Sequence, residues 1–491
     1  MSKYNLAELF KKHRIENVSS DSRKIKPNDA FFALKGKNFD GNKYIMDALR
    51  SGATIIFKEL DKDEIITNEL EDKIYYVDDI KKALITAIEL FFPRRPKSLI
   101  AVTGTNGKTS IVSYCHQLLN LLGQKSATIG TLGIKCSDSL IENELQKEAS
   151  ETLNTLDVLS LRKILHRAAN EIDYVIFEAS SHGLDQQRLG NLKVQASALA
   201  SFGHDHLDYH KTKENYLQAK LKLFSQHLED DGLAVINKDT QDSTKILEFL
   251  DQQDIQTITI GKNGNLQITG TEQTLDGQKI EFSYSNKNYQ LFVPIIGLYQ
   301  ASNLLIAALL VAKVTAEKNI TTIDEIFAFL PKLKAAPGRL QKIKSDAYNI
   351  FIDYSHKPDA LKSSLIELKK ITPLGKKLVV VFGCGGDRDT EKRPIMGEVA
   401  SDIANIVIVT DDNPRFEDPE VIRKAILTKA KNALEIGDRY KAIKKAIEIL
   451  DKGDSLLIAG KGHERYQIIG DKKYDFDDTE VTRQILLMND K

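Results

Sequence analysis

Apolar runs that each end in a polar or glycine-rich cluster constrain the fold of this chain more than any other feature. Between residues 97 and 237 helix-like stretches separate these runs, as in SLIAVTGTNGKTS, DYVIFEASSHGLDQ, ASALASFGHDHLDYH and GLAVINKD. Such alternation is typical of a mostly parallel, doubly wound sheet. The pattern restarts after Gly338, in NIFIDYSHKPDA, KLVVVFGCGGDRD, ANIVIVTDDNPR and DSLLIAGKGHE. Two successive α/β domains are therefore predicted.

Domain borders follow from chain length and from breaks in this pattern. The 491 residues are enough for about three domains of roughly 150 residues each. The paired prolines of the segment FPRRP, which ends at Pro96, interrupt regular structure and mark a linker. We predict a small mixed α/β N-terminal domain over residues 1–96, a central P-loop domain with a doubly wound sheet over 97–334, and a C-terminal Rossmann-like α/β domain over 335–491.

Composition argues against several classes of function. Lys plus Arg and Asp plus Glu both number 69, so no net field attracts nucleic acid or an acidic membrane surface. The widely spaced Cys115, Cys136 and Cys384 lack metal-ligand spacing and indicate reduced thiols. The N-terminus lacks the apolar run of a signal peptide, and no stretch approaches the ~18 apolar residues of a membrane span. A cytoplasmic enzyme with small-molecule partners is expected.

The strongest single motif is GTNGKTS, which follows a predicted strand and opens a helix. Its glycines let backbone N–H groups approach phosphate oxygens, and the helix N-terminus adds a favourable dipole. Lys108 supplies charge, and Thr109 can reach Mg²⁺. Val102 stands where the general P-loop pattern has a glycine, so the match is to a variant of it. The motif predicts an ATP site at Gly104, Thr105, Asn106, Gly107, Lys108, Thr109 and Ser110.

This form of the loop resembles that of the Mur ligases and of their relatives, the folylpolyglutamate synthetases, and the resemblance extends over almost the whole chain. The family couples ATP to amide synthesis by phosphorylating a substrate carboxylate, which gives an acyl phosphate that an amine attacks. Phosphoryl transfer requires mainly positioning and charge stabilisation from a protein, which suits a site rich in cations. The resemblance implies that Asn303 in GLYQASNLL and Arg339 in APGRL also serve the nucleotide.

Two further segments, EASSHGLDQQR and DHLDYH, resemble family segments that hold magnesium and the muramoyl dipeptide. The resemblance implies that Glu178 and His206 bind Mg²⁺ together with Thr109, although Mg²⁺ usually prefers oxygen and water. By spacing alone, a histidine in a polar loop is ordinarily just solvated. The implied dipeptide contacts are Asn154, Thr155, Ser180, Gln186 and Arg188. At two places the chain departs from the family, with Leu153-Asn154-Thr155 and with Ser201-Phe202-Gly203-His204.

One lysine carries a special implication. Lys220 in YLQAKLKLF matches the family lysine that is carbamylated, a change that turns a cation into a carboxylate-like metal ligand. Residue type alone does not distinguish Lys220 from an ordinary lysine on a helix surface. The resemblance therefore implies a catalytic set of Lys108, Lys220, His206 and Glu178.

Two N-terminal segments, DSR at residues 21–23 and GKNFDG at 36–41, resemble those with which the family holds a uridine nucleotide. As isolated strings they also fit turns. Together, at this position, they separate the chain from the folate relatives. The implied nucleotide contacts are Ser22, Lys37, Asn38 and Phe39.

Three predicted strand ends in the last domain carry GGDRD, DNPR and GKGHE. The mixture of bases and acids is what a zwitterionic amino acid requires, with arginines for carboxylates and Glu464 for an ammonium group. A surface salt-bridge network is the alternative. DYSHKPDAL also matches a family segment at Asp353 and His356. DNPR is the form that the family associates with meso-diaminopimelate, and the implied contacts are Arg388, Asp412, Asn413, Pro414, Arg415, Gly460 and Glu464.

The resemblance thus implies a monomeric ligase that uses ATP and Mg²⁺ to add meso-diaminopimelate to UDP-MurNAc-L-Ala-D-Glu during peptidoglycan synthesis. An L-lysine-adding ligase of the same family would need an uncharged or differently shaped residue at Arg415. A folylpolyglutamate synthetase should lack the DSR and DNPR segments. From another class, a nucleotide-sensing module could also use a P-loop, but it would not need three charged strand ends in a separate domain.

Overall fold

The structure is a computed structural model that describes residues 5–36, 39–60, 72–148, 155–316 and 320–489. Lys37, Asn38 and Asn154, which the resemblance implies in substrate binding, lie outside these ranges. The strands are β1 (Asn17–Ser19), β2 (Asp29–Phe32), β3 (Ile55–Glu59), β4 (Ile74–Val77), β5 (Ser98–Thr103), β6 (Ser126–Gly130), β7 (Gly133–Cys136), β8 (Tyr174–Glu178), β9 (Val194–Leu199), β10 (Leu228–Asn237), β11 (Thr257–Ile260), β12 (Leu266–Thr274), β13 (Gly277–Tyr284), β14 (Lys287–Val293), β15 (Gln341–Ile343), β16 (Asn349–Asp353), β17 (Leu378–Phe382), β18 (Ile406–Val409), β19 (Leu434–Glu435), β20 (Ser455–Ala459), β21 (Tyr466–Ile469) and β22 (Lys472–Asp475).

Helices separate most of these strands, in keeping with the predicted alternation. They are α1 (Leu6–His13), α2 (Ile45–Arg50), α3 (Ile80–Phe91), α4 (Lys108–Leu121), α5 (Ser139–Glu148), α6 (Val158–Ala168), α7 (Ser181–Asp185), α8 (Leu207–His210), α9 (Lys213–His227), α10 (Ser243–Gln252), α11 (Tyr299–Ala316), α12 (Ile323–Phe329), α13 (Pro358–Ile371), α14 (Lys392–Ile403), α15 (Pro419–Leu427), α16 (Arg439–Glu448) and α17 (Asp478–Asn489). Short 3₁₀ helices cover Ser22–Lys24, Gly41–Tyr44 and Leu330–Lys332.

The chain forms two compact units. The first comprises Met1–Thr103, Gln124–Ser197 and His206–Gly232, and the second comprises Gly104–Gly123, Ala198–Asp205 and Leu233–Lys491. This division does not follow the three predicted domains, whose borders stay a prediction.

In the first unit, a small sheet has the order β1–β2–β3–β4, with every neighbouring pair parallel. Strand β2 is buried along its whole length because both of its faces are covered. Phe32 packs in a core shared with α1 and α3, and the adjacent Phe31 packs in a core that includes Ala48 of α2. Phe32 also stacks on Phe57, with ring centroids 4.5 Å apart.

The other strands of the first unit are neighbours in the order β9–β5–β8–β6–β7. The pairs β5–β8 and β8–β6 are parallel, and β6–β7 is antiparallel. All residues of β5 and β8 are buried, as expected for central parallel strands covered on both faces. Glu178 ends β8, so its polar side chain stands at the carboxyl edge, where open α/β sheets bind ligands.

The second unit contains strands in the order β14–β13–β12–β11–β10 and a separate six-stranded sheet in the order β15–β16–β20–β17–β18–β19. In the six-stranded sheet only the β15–β16 pair is antiparallel among the described residues. Its two faces carry separate apolar cores. The carboxyl ends of β20, β17 and β18 are neighbours, which brings the three charged segments to one edge. The predicted α/β fold is confirmed.

One helix departs from the expectation that no segment could span a membrane. Among the described residues, α11 alone is long and apolar enough to do so by length and composition. It is, however, 72% buried inside the protein. It packs against α4, the helix that the P-loop opens. Its apolar surface therefore serves the core of the second unit.

Candidate active site

The predicted ATP loop lies in the second unit, at the N-terminus of α4. Gly107 precedes the helix with a φ of 89°, a left-handed conformation that glycine adopts without strain. A Cβ atom there would lie 2.7 Å from Oδ1 of Asn303, so the close approach of that side chain also requires glycine. The Nζ atom of Lys108 donates to the carbonyl oxygens of Gly104 and Thr105 at 2.7 and 3.0 Å. The geometry is that of a phosphate-binding loop.

A second loop of the same unit, residues 201–203, forms hydrogen bonds with the P-loop. Ser201, just after β9, accepts a hydrogen bond from the Asn106 N–H at Oγ (2.9 Å), and its carbonyl accepts one from the Thr105 N–H (2.8 Å). The Gly203 N–H donates to Oγ1 of Thr105 at 3.1 Å. The sequence analysis assigned no role to Ser201, because its segment departs from the family pattern. The nearby His204 is exposed.

Two residues predicted to bind the nucleotide, Arg339 and Asn303, contact the P-loop or the helix that follows it. The Nη2 of Arg339 donates to Oγ1 of Thr109 at 3.2 Å, and its guanidinium lies 5.0 Å from the centroid of the Tyr354 ring. Asn303 lies against Gly107 and donates through Nδ2 to Gln300 at 2.9 Å. The structure thus places Asn303 and Arg339 at the loop, and their role in nucleotide binding stays a prediction.

Asp353 and His356 lie on either side of Tyr354 in the segment DYSHKPDAL. The Leu340 N–H donates to Oδ1 of Asp353 at 2.8 Å, which joins this segment to the residue after Arg339. Nδ1 of His356 lies 2.9 Å from the Tyr354 carbonyl, and burial lowers the pKa of His356 to about 4. At neutral pH His356 is therefore an uncharged imidazole.

In the first unit, four residues with implied dipeptide contacts form one hydrogen-bonded network. The Ser180 N–H donates to Oγ1 of Thr155 at 2.9 Å, and the Nη1 of Arg188 donates to the Thr155 carbonyl at 2.7 Å. Nε and Nη2 of Arg188 both donate to Oε1 of Gln186, at 3.0 and 2.7 Å. Burial lowers the pKa of Arg188, yet a guanidinium stays charged at any physiological pH. The hydrogen-bond partners of this cation are therefore neutral, and Asp157 is a nearby negative charge, so the guanidinium can still attract an anionic ligand.

Glu178 lies next to this network and is 2% exposed. Its two carboxylate oxygens accept hydrogen bonds from the backbone N–H and the hydroxyl of Thr131, at 2.9 and 3.0 Å. A carboxylate oxygen has two lone pairs, so it can accept a hydrogen bond and bind a cation at the same time. Glu178 thus has the chemistry of an oxygen ligand.

Histidines and tyrosines pack around the other implied residues of the first unit. The rings of His182 and His206 meet edge to face, with centroids 4.7 Å apart. Lys220 is 1% exposed, and its Nζ lies 4.4 Å from the centroid of the Tyr216 ring. Lys220 is therefore not an ordinary surface lysine. Among the described residues, no group of three or more His, Cys, Asp or Glu side chains is arranged to hold a metal ion.

The edge of the six-stranded sheet holds the residues predicted for an amino acid. Asn413 donates through Nδ2 to Oε2 of Glu464 at 2.8 Å, and its Oδ1 accepts from Nζ of the buried Lys461 at 3.1 Å. Burial raises the pKa of Glu464 and lowers that of Lys461. A Cβ atom on Gly460 would lie 2.6 Å from the Asp412 carboxylate, which explains the glycine there. The DNPR and GKGHE segments are in direct contact.

Arg415 connects DNPR to the GGDRD segment. Its Nη1 donates to the Gly386 carbonyl at 2.8 Å, and the Gly386 N–H donates to the Asn413 carbonyl at 2.9 Å. Arg415 is half-buried and has a φ of 52°, in the left-handed region. The predicted Arg388 is exposed near Gly385, and Pro414 is buried.

A buried ion pair, which the sequence analysis did not identify, supports this edge. Arg439 donates through Nε and Nη2 to the two carboxylate oxygens of Asp478, at 2.7 Å each, and both side chains are fully buried. Nη2 also donates to the Ala459 carbonyl at 2.9 Å, one residue before GKGHE. No sequence pattern distinguishes Arg439 from the other basic residues at helix starts.

Comparison with known proteins finds one protein family whose models match most of the chain. Models of the Mur ligase family match three ranges: the family's catalytic domain at residues 14–91, its middle domain at 102–311 and its glutamate ligase domain at 338–462. Together they cover most of the chain. The chain belongs to the Mur ligase family. Mur ligases form amide bonds with ATP, so the chain is an ATP-dependent amide-bond-forming ligase.

Individual relatives cover almost the whole chain. A protein of Rickettsia bellii named UDP-N-acetylmuramoyl-L-alanyl-D-glutamate--2,6-diaminopimelate ligase is 51% identical over 98% of both chains. A protein of the same name from Bradyrhizobium diazoefficiens is 40% identical over 96% of this chain and 95% of its own. A solved structure with that name has a TM-score of 0.68 and 32% identity, covering 97% of this chain and 96% of its own.

A more distant Mur ligase relative is similar in fold alone. Folylpolyglutamate synthase of Mycobacterium tuberculosis, solved with ADP and AMPPCP, has a TM-score of 0.64 at 18% identity. It covers 82% of this chain and 95% of its own. The similarity of fold therefore covers most of the chain.

The described N-terminal candidates lie near the surface of the small parallel sheet. Ser22 begins a 3₁₀ helix capped by Asp21, and Phe39 is exposed. The Phe39 ring stacks on that of Tyr44, which is also exposed, with centroids 5.6 Å apart and planes 15° from parallel. Tyr44, which the sequence analysis did not name, thus shares an exposed aromatic surface with Phe39.

Proposed function

We propose that this ligase joins diaminopimelate to UDP-N-acetylmuramoyl-L-alanyl-D-glutamate through an acyl phosphate. The relatives that cover nearly all of the chain carry this activity in their names. The observation that favours this amino acid is that Arg415 and Glu464 follow β18 and β20, which lie on either side of β17, and that Asn413 contacts both of them. A cation and an acid held together match a substrate with both carboxylates and ammonium groups.

ATP would bind at the P-loop of the second unit. The N-terminus of α4 and Lys108 would face the phosphates, and the glycines allow their close approach. Arg339 adds a second cation through its contact with Thr109. These groups stabilise the charge of the transferring phosphoryl group without taking part in covalent chemistry.

The acceptor carboxylate would be held by the Thr155–Arg188 network of the first unit. Transfer of the γ-phosphoryl group to this carboxylate gives an acyl phosphate and ADP. The amine of the amino acid then attacks the acyl carbon, and inorganic phosphate leaves as the amide forms. Arg188, held in place by Gln186 and the Thr155 carbonyl, orients the carboxylate.

Mg²⁺ is part of this proposal. Glu178 fits the role of ligand because Thr131 holds its buried carboxylate in place and carboxylate oxygens are ligands that Mg²⁺ prefers. We retain His206 and Thr109 as further proposed ligands. When bound, the metal ion would neutralise phosphate charge. We further propose that the protein works in the cytoplasm as a monomer in peptidoglycan precursor synthesis.

Coupled release of phosphate tests the proposed function. With ATP and the UDP-linked dipeptide present, we expect rapid phosphate release with meso-diaminopimelate and little with L-lysine or without an amino acid. Faster turnover with lysine would identify a lysine-adding ligase, and turnover with folate and glutamate would identify a folate enzyme. Release that needs neither substrate would contradict any ligase assignment.

A second prediction concerns Lys220. We expect Lys220→Ala to lower the ligation rate by about 10- to 100-fold, as for residues that tune a metal site, because its position would hold a carbamate ligand. Acetate or formate should restore part of the rate, since a small carboxylate can occupy the vacated space. Initial rates with and without these ions measure the effect. Lys245→Ala, at an exposed position of α10, is the matched control.

The two alternatives for Lys220 give different results. A variant as active as the parent would mean that this buried lysine has no catalytic role. A slow variant that small carboxylates do not rescue would leave Lys220 structural and contradict the carbamate. A carbamate is lost at the low pH that is used for mass spectrometry of an intact protein. Rescue by small carboxylates is therefore the preferred measurement.

A further inference from the structure

The strands β21 and β22 form a hairpin, residues 466–475, directly after the GKGHE segment. The backbone of Arg415 pairs with this hairpin as a short extra strand. The Arg415 N–H donates to the Ile468 carbonyl at 3.1 Å, and the Gly470 N–H donates to the Arg415 carbonyl at 2.7 Å. The hairpin thus forms hydrogen bonds with both the backbone N–H and the backbone carbonyl of Arg415.

Two further bonds extend this contact to the rest of DNPR. The side chain of Gln467 donates through Nε2 to the Asp412 carbonyl at 2.7 Å. The Ile468 N–H donates to Oδ1 of Asn413 at 2.9 Å. Asp412, Asn413 and Arg415 are therefore each bonded to the hairpin, and Gln467 is its side chain that reaches the DNPR backbone.

Lys461 joins the base of the hairpin to the same loop. Its side chain is fully buried and contacts the Tyr466 carbonyl, where the hairpin begins. Its Nζ also donates to Oδ1 of Asn413 and lies 3.5 Å from Oε2 of Glu464. Lys461 therefore contacts the start of the hairpin and also Asn413 and Glu464, two residues predicted to bind the amino acid.

The backbone of Arg415 needs such support. Its φ of 52° is in the left-handed region, which a residue with a large side chain adopts only when its surroundings determine it. The direction of the Arg415 side chain follows from this backbone conformation. Loosening the hairpin contact would let the backbone relax and turn the guanidinium away from Gly386.

From these contacts we propose that the hairpin is a specificity-determining element of the amino-acid site and that Gln467 is its main positioning residue. The proposal rests on the proposed function, since it assigns Arg415 to the distal carboxylate of diaminopimelate. Gln467 acts through the backbone of Asp412 and has no assigned contact with the substrate. Its effect should therefore appear in the binding and selection of the amino acid and leave ATP binding unaltered.

The substitution Gln467→Met tests this, because methionine keeps the length of the side chain and removes the amide donor. We expect KM for diaminopimelate to rise about 10- to 100-fold, since the Asp412 carbonyl loses its partner inside the protein. KM for ATP should stay within about twofold, and the preference for diaminopimelate over lysine should fall by about tenfold. Gln290→Met, at an exposed glutamine of β14, is the matched control.

Hydrogen exchange of residues 411–418 gives a second measurement that needs no substrate. We expect the amides of Arg415 and its neighbours to exchange faster in Gln467→Met, with the rest of the second unit unchanged. Gln467→Ala serves if the methionine variant does not fold. A folded variant with unchanged exchange and unchanged selectivity overturns the proposal. An equal loss with every substrate, together with a lower Tm, also overturns it because it indicates general destabilisation.

The failure of the proposed function would look different. If the parent protein itself did not use diaminopimelate, the assignment of Arg415 to the distal carboxylate would be wrong, and with it the specificity role of the hairpin. Faster exchange at Arg415 in the variant would then report only the mechanical contact between hairpin and loop. Parent activity and variant exchange therefore separate the two outcomes.

Discussion

Lys108→Ala should abolish ligation, with a loss of at least about a thousandfold in kcat, because it removes a charge that acts on the transferring phosphoryl group. The loop would keep its backbone donors and its glycines. It would lose the cation that now lies 2.7 Å from the Gly104 carbonyl. Coupled phosphate release measures the effect, and Lys245→Ala again serves as the control.

The two contacts of Lys108 with loop carbonyls call for a second variant. Lys108→Met keeps the aliphatic stem and removes only the ammonium group, so both variants should lose activity while their Tm stays close to that of the parent. Undiminished product formation in either variant would mean that the GTNGKTS loop is not the ATP site. Loss of folding in both would be visible as a lower Tm.

Arg415→Ala should remove most of the activity with diaminopimelate and little of any residual activity with lysine. The two amino acids differ at their far end by one carboxylate, which a cation favours. A guanidinium has five N–H donors, so Arg415 can bind a carboxylate while its Nη1 still donates to Gly386. Lysine would leave this cation without an anionic partner.

The size of the effect follows from the energies of charged contacts. A charge-assisted hydrogen bond contributes about 1.5 to 3 kcal/mol, and an uncompensated buried charge costs about 3 to 5 kcal/mol. Because Arg415 is half-buried, the smaller energy of about 1.5 to 3 kcal/mol applies, which corresponds to a preference of about 10- to 150-fold. Specificity constants for both amino acids in parent and variant measure it. An equal ratio in the two proteins would show that Arg415 does not recognise the distal carboxylate.

The parallel sheets could be predicted because their strands are buried on both faces, which gives continuous apolar runs such as LVVVF. The strand-end residues could be predicted for the same reason. Parallel strands place their carboxyl ends at one edge, so Arg415, Asn413 and Glu464 meet there although up to 51 positions separate them. Hydrophobic periodicity thus located the C-terminal candidate site.

Other contacts left no signal in the sequence. Gln467 belongs to a short, half-exposed hairpin and donates to Asp412, 55 positions earlier, and no local rule specifies that pairing. Ser201 replaces a family residue, so resemblance concealed its contact with the P-loop. Lys220 was indistinguishable from a surface lysine because α9 is amphipathic in only a weak sense, and its burial depends on neighbours such as Tyr216.

The buried pair of Arg439 and Asp478 has a consequence for how the protein is made. The two residues are separated by 39 positions, so on the ribosome Arg439 emerges well before its counter-ion. A buried guanidinium without that partner is strongly unfavourable. We therefore expect the strand end at Ala459, to which Arg439 also donates, to be completed only after α17 has been synthesised and has docked. Chains that end before residue 478 would carry every ligand-binding motif but would lack this counter-ion, so we expect them to be less stable than the complete chain.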